Sequence, residues 1–460
     1  MGTTMKIGAL LLMTAAIASR PAQAASAGAT QTEDALTLQK ARELALSRSA
    51  TLHSAELAVD AASLAARAQG YAALPDISAS AGGSYGFNAS QPSSIVSEPI
   101  SGLSSSVKLA ATQTIFDGGK IQSLVQKYGL ATEAAREDMV AARLKLIGQA
   151  DTAFFTVLEA EASVEAAAGS LDAARLRQTI ARAKIDAGIL SASAYLQTEA
   201  DTAGYETSLV LAKKGLASAR AALASLTGRT ASAALAPADF SAYDGLLARL
   251  SALDAAGVEA LAAKLSALAK ANSPTLTGFA ISSQESRLDV AIAKKAGLPT
   301  VSAGLSQAVA FQSANSLSSP AWAFPLSVSL SASMSLDLWT IKNNIDSASV
   351  AASQADLAAS QGETDLELSL VQALYEWIAS AGSIPSSAKA LEYAKSNYDN
   401  VLEKFRLSSA TTSDLSSAEA LVSADQTALI NARYSFLSDL SALRGLAGLE
   451  DEAQLVGLVP

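Results

Sequence analysis

The stretch Leu74-Pro75-Asp76-Ile77-Ser78-Ala79 returns 224 residues further on as Leu298-Pro299-Thr300-Val301-Ser302-Ala303, and Ser49-Ala50-Thr51-Leu52 returns at the same separation as Ser273-Pro274-Thr275-Leu276. A second set of anchors agrees at 220: Phe116-Asp117 with Leu336-Asp337, Lys184 with Lys404, Glu199-Ala200 with Glu419-Ala420, and Leu226-Thr227-Gly228 with Leu446-Ala447-Gly448. A constant offset leaves no room for net insertion between these anchors. The chain is one structural unit written twice.

Working outward from the prolines, each unit reads helix, strand pair, long helical hairpin. The first covers 36–228, with a helix at 36–73, strands within 76–116 and a hairpin over 117–228. The second covers 258–449, with a helix at 258–297, strands within 300–338 and a hairpin over 339–449. Residues 25–35 precede the first unit, 229–257 form an equatorial linker and 450–460 a tail. The opening helices end where Pro75 and Pro299 forbid continuation. Beyond them the apolar period becomes two: Ile77, Ala79, Ala81 and Val107, Leu109, Ala111 in one copy, Leu326, Val328, Leu330, Ala332, Met334, Leu336, Leu338 in the other. Pro-, Ser-, Asn- and Gly-rich segments between the strands of each pair, Asn88 to Gly102 and Gln312 to Pro320, read as exposed loops.

No proline occurs between Pro99 and Pro237, and Pro385 alone interrupts the matching stretch, where it is expected to kink its helix opposite the position of Glu165. A helix from Gly118 to Ala187 would run about 105 Å. Returning along the second hairpin, Leu415, Val422, Leu429, Phe436 and Leu443 recur every seven residues, and their counterparts are Tyr195, Thr202, Leu209, Leu216 and Leu223. Such a spacing is a coiled-coil seam.

Composition narrows the function. The 460 residues are 50% hydrophobic, 17% charged and 5% aromatic, with no cysteine and one histidine. Disulfides, thiolate metal sites and cysteine nucleophiles are excluded outright, and His53 alone makes little metal or general-base chemistry, so it reads as structural and no cofactor is expected. A net charge of −10 opposes nucleic-acid binding. Residues 1–24 read as a secretory signal, with Lys6, an apolar run from Ile7 to Ala18 and Ala22-Gln23-Ala24. No apolar run after residue 24 is long enough for a spanning helix. Without a cysteine, no lipid anchor follows the cleavage region.

An exported chain whose four strands alternate faces cannot close a barrel by itself, because about eight strands make the smallest closed cylinder. Pooled among three copies they would number twelve, an ordinary barrel size. Trp322 and Trp339, near either end of the last strand, suit an interfacial aromatic girdle.

At this point the sequence resembles the TolC-type outer-membrane efflux channels over nearly the whole mature chain, from Leu36 to Leu449. Leu36-Thr37-Leu38-Gln39-Lys40-Ala41 looks like that family's opening helix, Leu74-Pro75 and Leu298-Pro299 like its approach to the strands, and Ile115-Phe116-Asp117-Gly118-Gly119 like its strand-to-helix exit. Asn431-Ala432-Arg433-Tyr434-Ser435-Phe436-Leu437 and Leu446-Ala447-Gly448 resemble its final helix. The resemblance implies a mainly α protein with a four-stranded β contribution, a homotrimer with a 12-stranded barrel in outer-membrane lipid and a helical tunnel across the periplasm. It also implies a periplasmic adaptor and an inner-membrane pump as partners, with small toxic molecules or polypeptides as cargo and no enzymatic step.

It places adaptor contact at the hairpin turns, Ala187, Gly188, Ile189 and Leu190 in one copy and Arg406, Leu407, Ser408, Ser409 and Ala410 in the other. Relatives usually carry glycine in both turns; Gly188 keeps that pattern and Ser408 departs from it. A pore constriction is implied beside the turns, at Ser193, Phe405, Asp414 and Ser417. Asp414 holds an aspartate position that would form an acidic ring in a trimer, whereas Ser417 and Ala410 replace an aspartate and an arginine. The constriction is therefore expected to rest on packing by Phe405 and Leu415. Two other classes compete: an exported coiled-coil structural or surface protein, which leaves the strand pairs unexplained, and a periplasmic hydrolase, for which no Ser, His and Asp cluster exists.

Overall fold

Residues 35–88, 100–230, 233–313 and 326–460 are described by the computed structural model. The signal sequence, most of both strand-connecting loops and Trp322 lie outside them. The opening stretch read as one helix is two, α1 (Leu38–Arg48) and α2 (Ala50–Tyr71), divided at Ser49. Its extended backbone (φ −69, ψ 113) and its side chain, which accepts from Leu52 N, start a second helix. The copy divides alike, here with the linker contributing the first turn: α6 (Ala255–Asn272) and α7 (Pro274–Lys295) meet at Ser273 (φ −72, ψ 113), with Pro274 in the first turn. Serine as N-cap and proline just inside the helix are both favoured starts. The duplicated anchor therefore encodes a break.

Four antiparallel strands form one sheet in chain order: β1 (Asp76–Asn88), β2 (Ile100–Phe116), β3 (Thr300–Ser313) and β4 (Leu326–Ser333). The two repeats join at β2 and β3, where Val107 lies opposite Val309 and Leu109 opposite Gln307. That leaves β1 and β4 as edges. The alternation expected to continue to Leu338 stops at Ser333, and a helix begins at Leu338 because Asp337 accepts from Thr340 N at 3.1 Å and caps it. Trp339 thus stands in the first turn of that helix, 83% exposed, and not on a strand.

The hairpins are α3 (Lys120–Asp186) with α4 (Ala192–Thr227), and α8 (Leu338–Arg406) with α9 (Thr412–Leu446). At 67 and 69 residues, α3 and α8 are each about 100 Å long. Nearer the sheet α3 packs on α2 and α7, through Lys127 to Asp289 at 2.6 Å and Lys295 Nζ to Ser123 Oγ at 2.6 Å. Further along it packs on α4 and α9, with Arg220 to Glu161 at 2.8 Å. α8 runs unbroken through Pro385; the ring removes one helical hydrogen bond, while Trp377 and Ala381 just before it are buried and hold the segment.

Midway along, both repeats share the main core. Trp377 stacks on Phe436 at 5.9 Å between ring centroids, amid Phe154, Leu374, Leu440 and Leu443. The linker adds α5 (Asp244–Ser251) to this core, and Leu36 pairs with Leu235 as a short parallel bridge. Asp151, fully buried, accepts from Arg42 at 2.5 and 2.9 Å, Arg444 at 2.7 Å and Ser441 at 2.6 Å. A buried charge is tolerated only when paired and hydrogen-bonded, and here it ties α1, α3 and α9 together.

Candidate functional site at the hairpin tips

The two turns end their long helices in the same way. Gly188 (φ 71) donates to Ile185 O at 2.9 Å while Ile189 donates to Lys184 O at 2.8 Å. In the second turn Ser408 (φ 63) donates to Phe405 O at 3.0 Å and Ser409 to Lys404 O at 2.8 Å. Both are Schellman closures with a left-handed residue. Ser408 is the one non-glycine residue with positive φ among those described, so the backbone was duplicated although the glycine was not. The following helices are capped by Ser191, which accepts from Ala194 N, and Thr411, which accepts from Asp414 N. The turns expose Ile189 (63%) and Leu407 (77%), with Ala187, Gly188, Arg406, Ser408 and Ser409 also exposed and Leu190 and Ala410 half-buried.

The residues expected at a constriction divide. Asp414, Ser417 and Ser193 are exposed, the first two one helical turn apart on α9. Asp414 closes a capping box, its Oδ2 accepting from Thr411 N at 2.8 Å and Thr411 Oγ at 2.7 Å. Those bonds, the backbone one foremost, hold its carboxyl below the usual aspartate range. Phe405, expected to act by packing with Leu415, is 1% exposed and packs with Ala181, Leu402 and Leu415. Lys184 from the other hairpin lies over its ring, 4.1 Å from the centroid, and donates to its carbonyl. Burial pushes the Lys184 ammonium below its ordinary value. His53, read as structural, is exposed on α2 beside Glu56 at 3.3 Å.

Sequence reading missed a charged cluster eleven residues up the helix from Gly188, about 16 Å from the turn. Arg177 on α3, 1% exposed, lies 3.0 Å from Glu419 on α9 and 3.1 Å from Asp201 on α4. These are ion-pair distances, yet the N–H directions miss, and neither Glu419 oxygen has a hydrogen bond. Ser416 Oγ donates to Asp201 at 2.9 Å. Burial pushes the Glu419 carboxyl up to about 7, against the pull of Arg177 and with help from Asp201. One signal was available: Glu419 stands four residues after Leu415 and three before Val422, on the seam side of α9.

No curated protein sequence matches the chain. Among solved structures, it is similar in fold to the channel CusC (15% identity, 93% of this chain and 96% of that one, TM-score 0.76). It is likewise similar to the Campylobacter jejuni CmeC outer membrane channel (17%, 92% and 90%, TM-score 0.74). The Neisseria gonorrhoeae MtrE outer membrane channel in its open state also aligns (18%, 90% and 89%, TM-score 0.67). The sequence model described as outer membrane efflux protein matches twice, at 41–229 and 265–449, one match for each repeat. On that coverage the chain belongs to the outer membrane efflux protein family, the TolC-type channels.

Proposed function

We propose that the chain is the outer-membrane channel of a tripartite efflux or type I secretion system. Three copies form a ring with a 12-stranded barrel in the outer membrane and a helical tunnel in the periplasm, through which small toxic molecules or polypeptides leave. One observation carries this reading: the contacts inside the chain are half of a repeating set. Under the duplication α3 corresponds to α8 and α9 to α4, so the α3–α9 packing calls for an α8–α4 packing, which the chain does not make to any comparable extent. Likewise the β2–β3 pairing calls for β4 to pair with β1, and both are edges. Head-to-tail copies supply both missing contacts and close a ring. They also cover apolar flanks left bare on a single copy, Val350, Leu357 and Tyr393 on α8 and Val210 and Leu211 on α4.

The exposed tips, with Ile189 and Leu407 outermost, dock the periplasmic adaptor that joins the channel to an inner-membrane pump. Three copies of Asp414 form an acidic ring beside them, with Oδ1 left over from the capping box to meet cations. Trp339 anchors near the membrane interface.

Fractionation tests the whole reading: heat-sensitive trimers in the outer membrane are expected, and a soluble monomer after lysis would overturn it. A crosslinker on Gly188→Cys, in a chain with no native cysteine, should capture the adaptor. In planar bilayers Asp414→Ala should lower cation preference and divalent block; unchanged values remove the acidic ring while leaving the channel standing.

A further inference from the structure

We propose that Glu419 is a proton-operated latch between the two hairpins of one chain: protonated, it lets α9 close on α3 and α4 around Arg177, and its ionisation drives α9 away from the first hairpin. The cluster holds one guanidinium and two carboxylates, so with all three ionised it carries a net negative charge around the buried Arg177 and Glu419. Asp201 is partly solvated and accepts from Ser416. Glu419 is 4% exposed and lacks any hydrogen bond, so it is the carboxylate that takes up the proton.

No other group around it rebalances the charge. From α4, Tyr205 faces the cluster, and from α8 Tyr398; burial pushes both phenols up, so they stay neutral. Lys395 of α8 shares a cavity of about 260 Å³ with Glu419, Tyr398 and Gln426, but it is exposed to water, and Asp399 beside Tyr398 is exposed as well. That cavity gives the carboxyl a route for proton exchange.

The direction follows from linkage. When α9 separates from α3, Glu419 meets water and returns to an ordinary carboxyl, so the closed arrangement binds the proton more tightly. Acid therefore favours closure and alkali favours opening. The gap between an ordinary glutamate and about 7 limits the bias to about 300-fold. The latch acts within one copy and is independent of how copies assemble.

Amide hydrogen exchange on the full-length assembled protein, corrected for the intrinsic pH dependence of exchange, tests it. Protection over 405–420 should be at least about tenfold higher near pH 6 than near pH 8.5, while residues around Trp377 stay unchanged. Glu419→Gln should keep high protection at both pH values. Asp201→Asn, which balances the cluster and removes the like charge, should move the transition to lower pH or abolish it. Equal wild-type protection at the two pH values overturns the latch, as does a pH response that survives in Glu419→Gln or an unmoved transition in Asp201→Asn. Should Glu419→Gln fail to assemble, the wild-type and Asp201→Asn measurements decide.

Discussion

The two repeats share their backbone devices and almost none of their buried charges. Ser49 and Ser273 start matching helices, an aspartate accepts from the first turn of each long helix (Asp117 from Ile121 N, Asp337 from Thr340 N), Gly188 and Ser408 make the same turn, and Gly228 (φ 65) and Gly448 (φ 73) end the returning helices. The charges are one-sided. Asp151 is buried where Val371 is partly exposed, Lys184 is buried and Lys404 exposed, Glu419 is buried and Glu199 exposed, and Arg177 matches Asn397. A turn is satisfied by its own local hydrogen bonds, so duplication carries it over intact. A buried charge needs a partner on another element, and the α3–α9 seam exists within the chain while its counterpart does not. The buried ion pairs therefore gather on the internal seam.

The largest break in this comparison is Asp151→Ala. It leaves the guanidinium of Arg444 buried and Arg42 beside it with no shared carboxylate, a loss of about 3–5 kcal/mol by analogy with other broken buried pairs. The equivalent Val371→Ala, at 37% exposure, should cost less than about 1 kcal/mol. Thermal melting of the two variants in detergent checks the contrast, and equal losses would mean that the hub does not depend on this network.

Next in size is the glutamate pair. Because the Glu419 carboxyl is raised to about 7, the native chain holds its proton where the unfolded chain has released it. Stability should fall as pH climbs from the ordinary glutamate range to about 7, and stay level above. Glu419→Gln should flatten that slope and gain roughly 1–3 kcal/mol at alkaline pH. Glu199→Gln, at the exposed counterpart, should leave the pH dependence of melting as it was.

How much of this was legible in the sequence follows the same division. The repeat, the strand pairs, the long hairpins and the positions of both turns could be read, because period, proline and glycine act locally. The breaks at Ser49 and Ser273 were visible as letters yet hidden in an otherwise helical pattern, since a serine inside a helix and a serine starting one look alike until its backbone is known. The end of β4 was misread because Met334, Leu336 and Leu338 keep the alternation after Asp337 has captured the next helix. Packing of Phe405 with Leu415 could be read, whereas its cover by Lys184, a residue 221 positions away, could not. Glu419 and Glu199 occupy the same seam position, and Glu419 is the buried one because α9 packs on α3 in addition to its hairpin partner α8, whereas α4 has no matching contact with α8.

A smaller effect would come from giving the outer seam the charge it lacks. If copies pack α8 against α4, Asn397→Arg should bring a guanidinium near Glu199 of the neighbouring copy, the arrangement Arg177 and Glu419 make inside. A partly exposed pair of this kind is worth up to about 1 kcal/mol per seam. The readout is the temperature at which trimers dissociate in a gel, expected to rise by a few degrees at low salt and to lose that gain at high salt.

The smallest effect is the most symmetrical, a swap of the turn residues. A side chain at positive φ costs about 1 kcal/mol through the clash of Cβ with the backbone, and glycine avoids it while adding freedom to the unfolded chain. Gly188→Ser should therefore destabilise the first turn by up to about 1 kcal/mol, while Ser408→Gly should relieve the second by a few tenths to about 1 kcal/mol. Nothing lies within 4 Å of a Cβ built at Gly188, so backbone strain alone is measured there. Exchange protection of Ile189 and Ser409, whose amides close the two turns onto Lys184 and Lys404, reads each one separately. If the swapped chain shows the two protections exchanged, the turns are equivalent and the serine is a tolerated strain. If Ser408→Gly instead lowers protection at Ser409, the serine side chain holds the second turn in place, and the repeats differ at their tips by more than one Cβ.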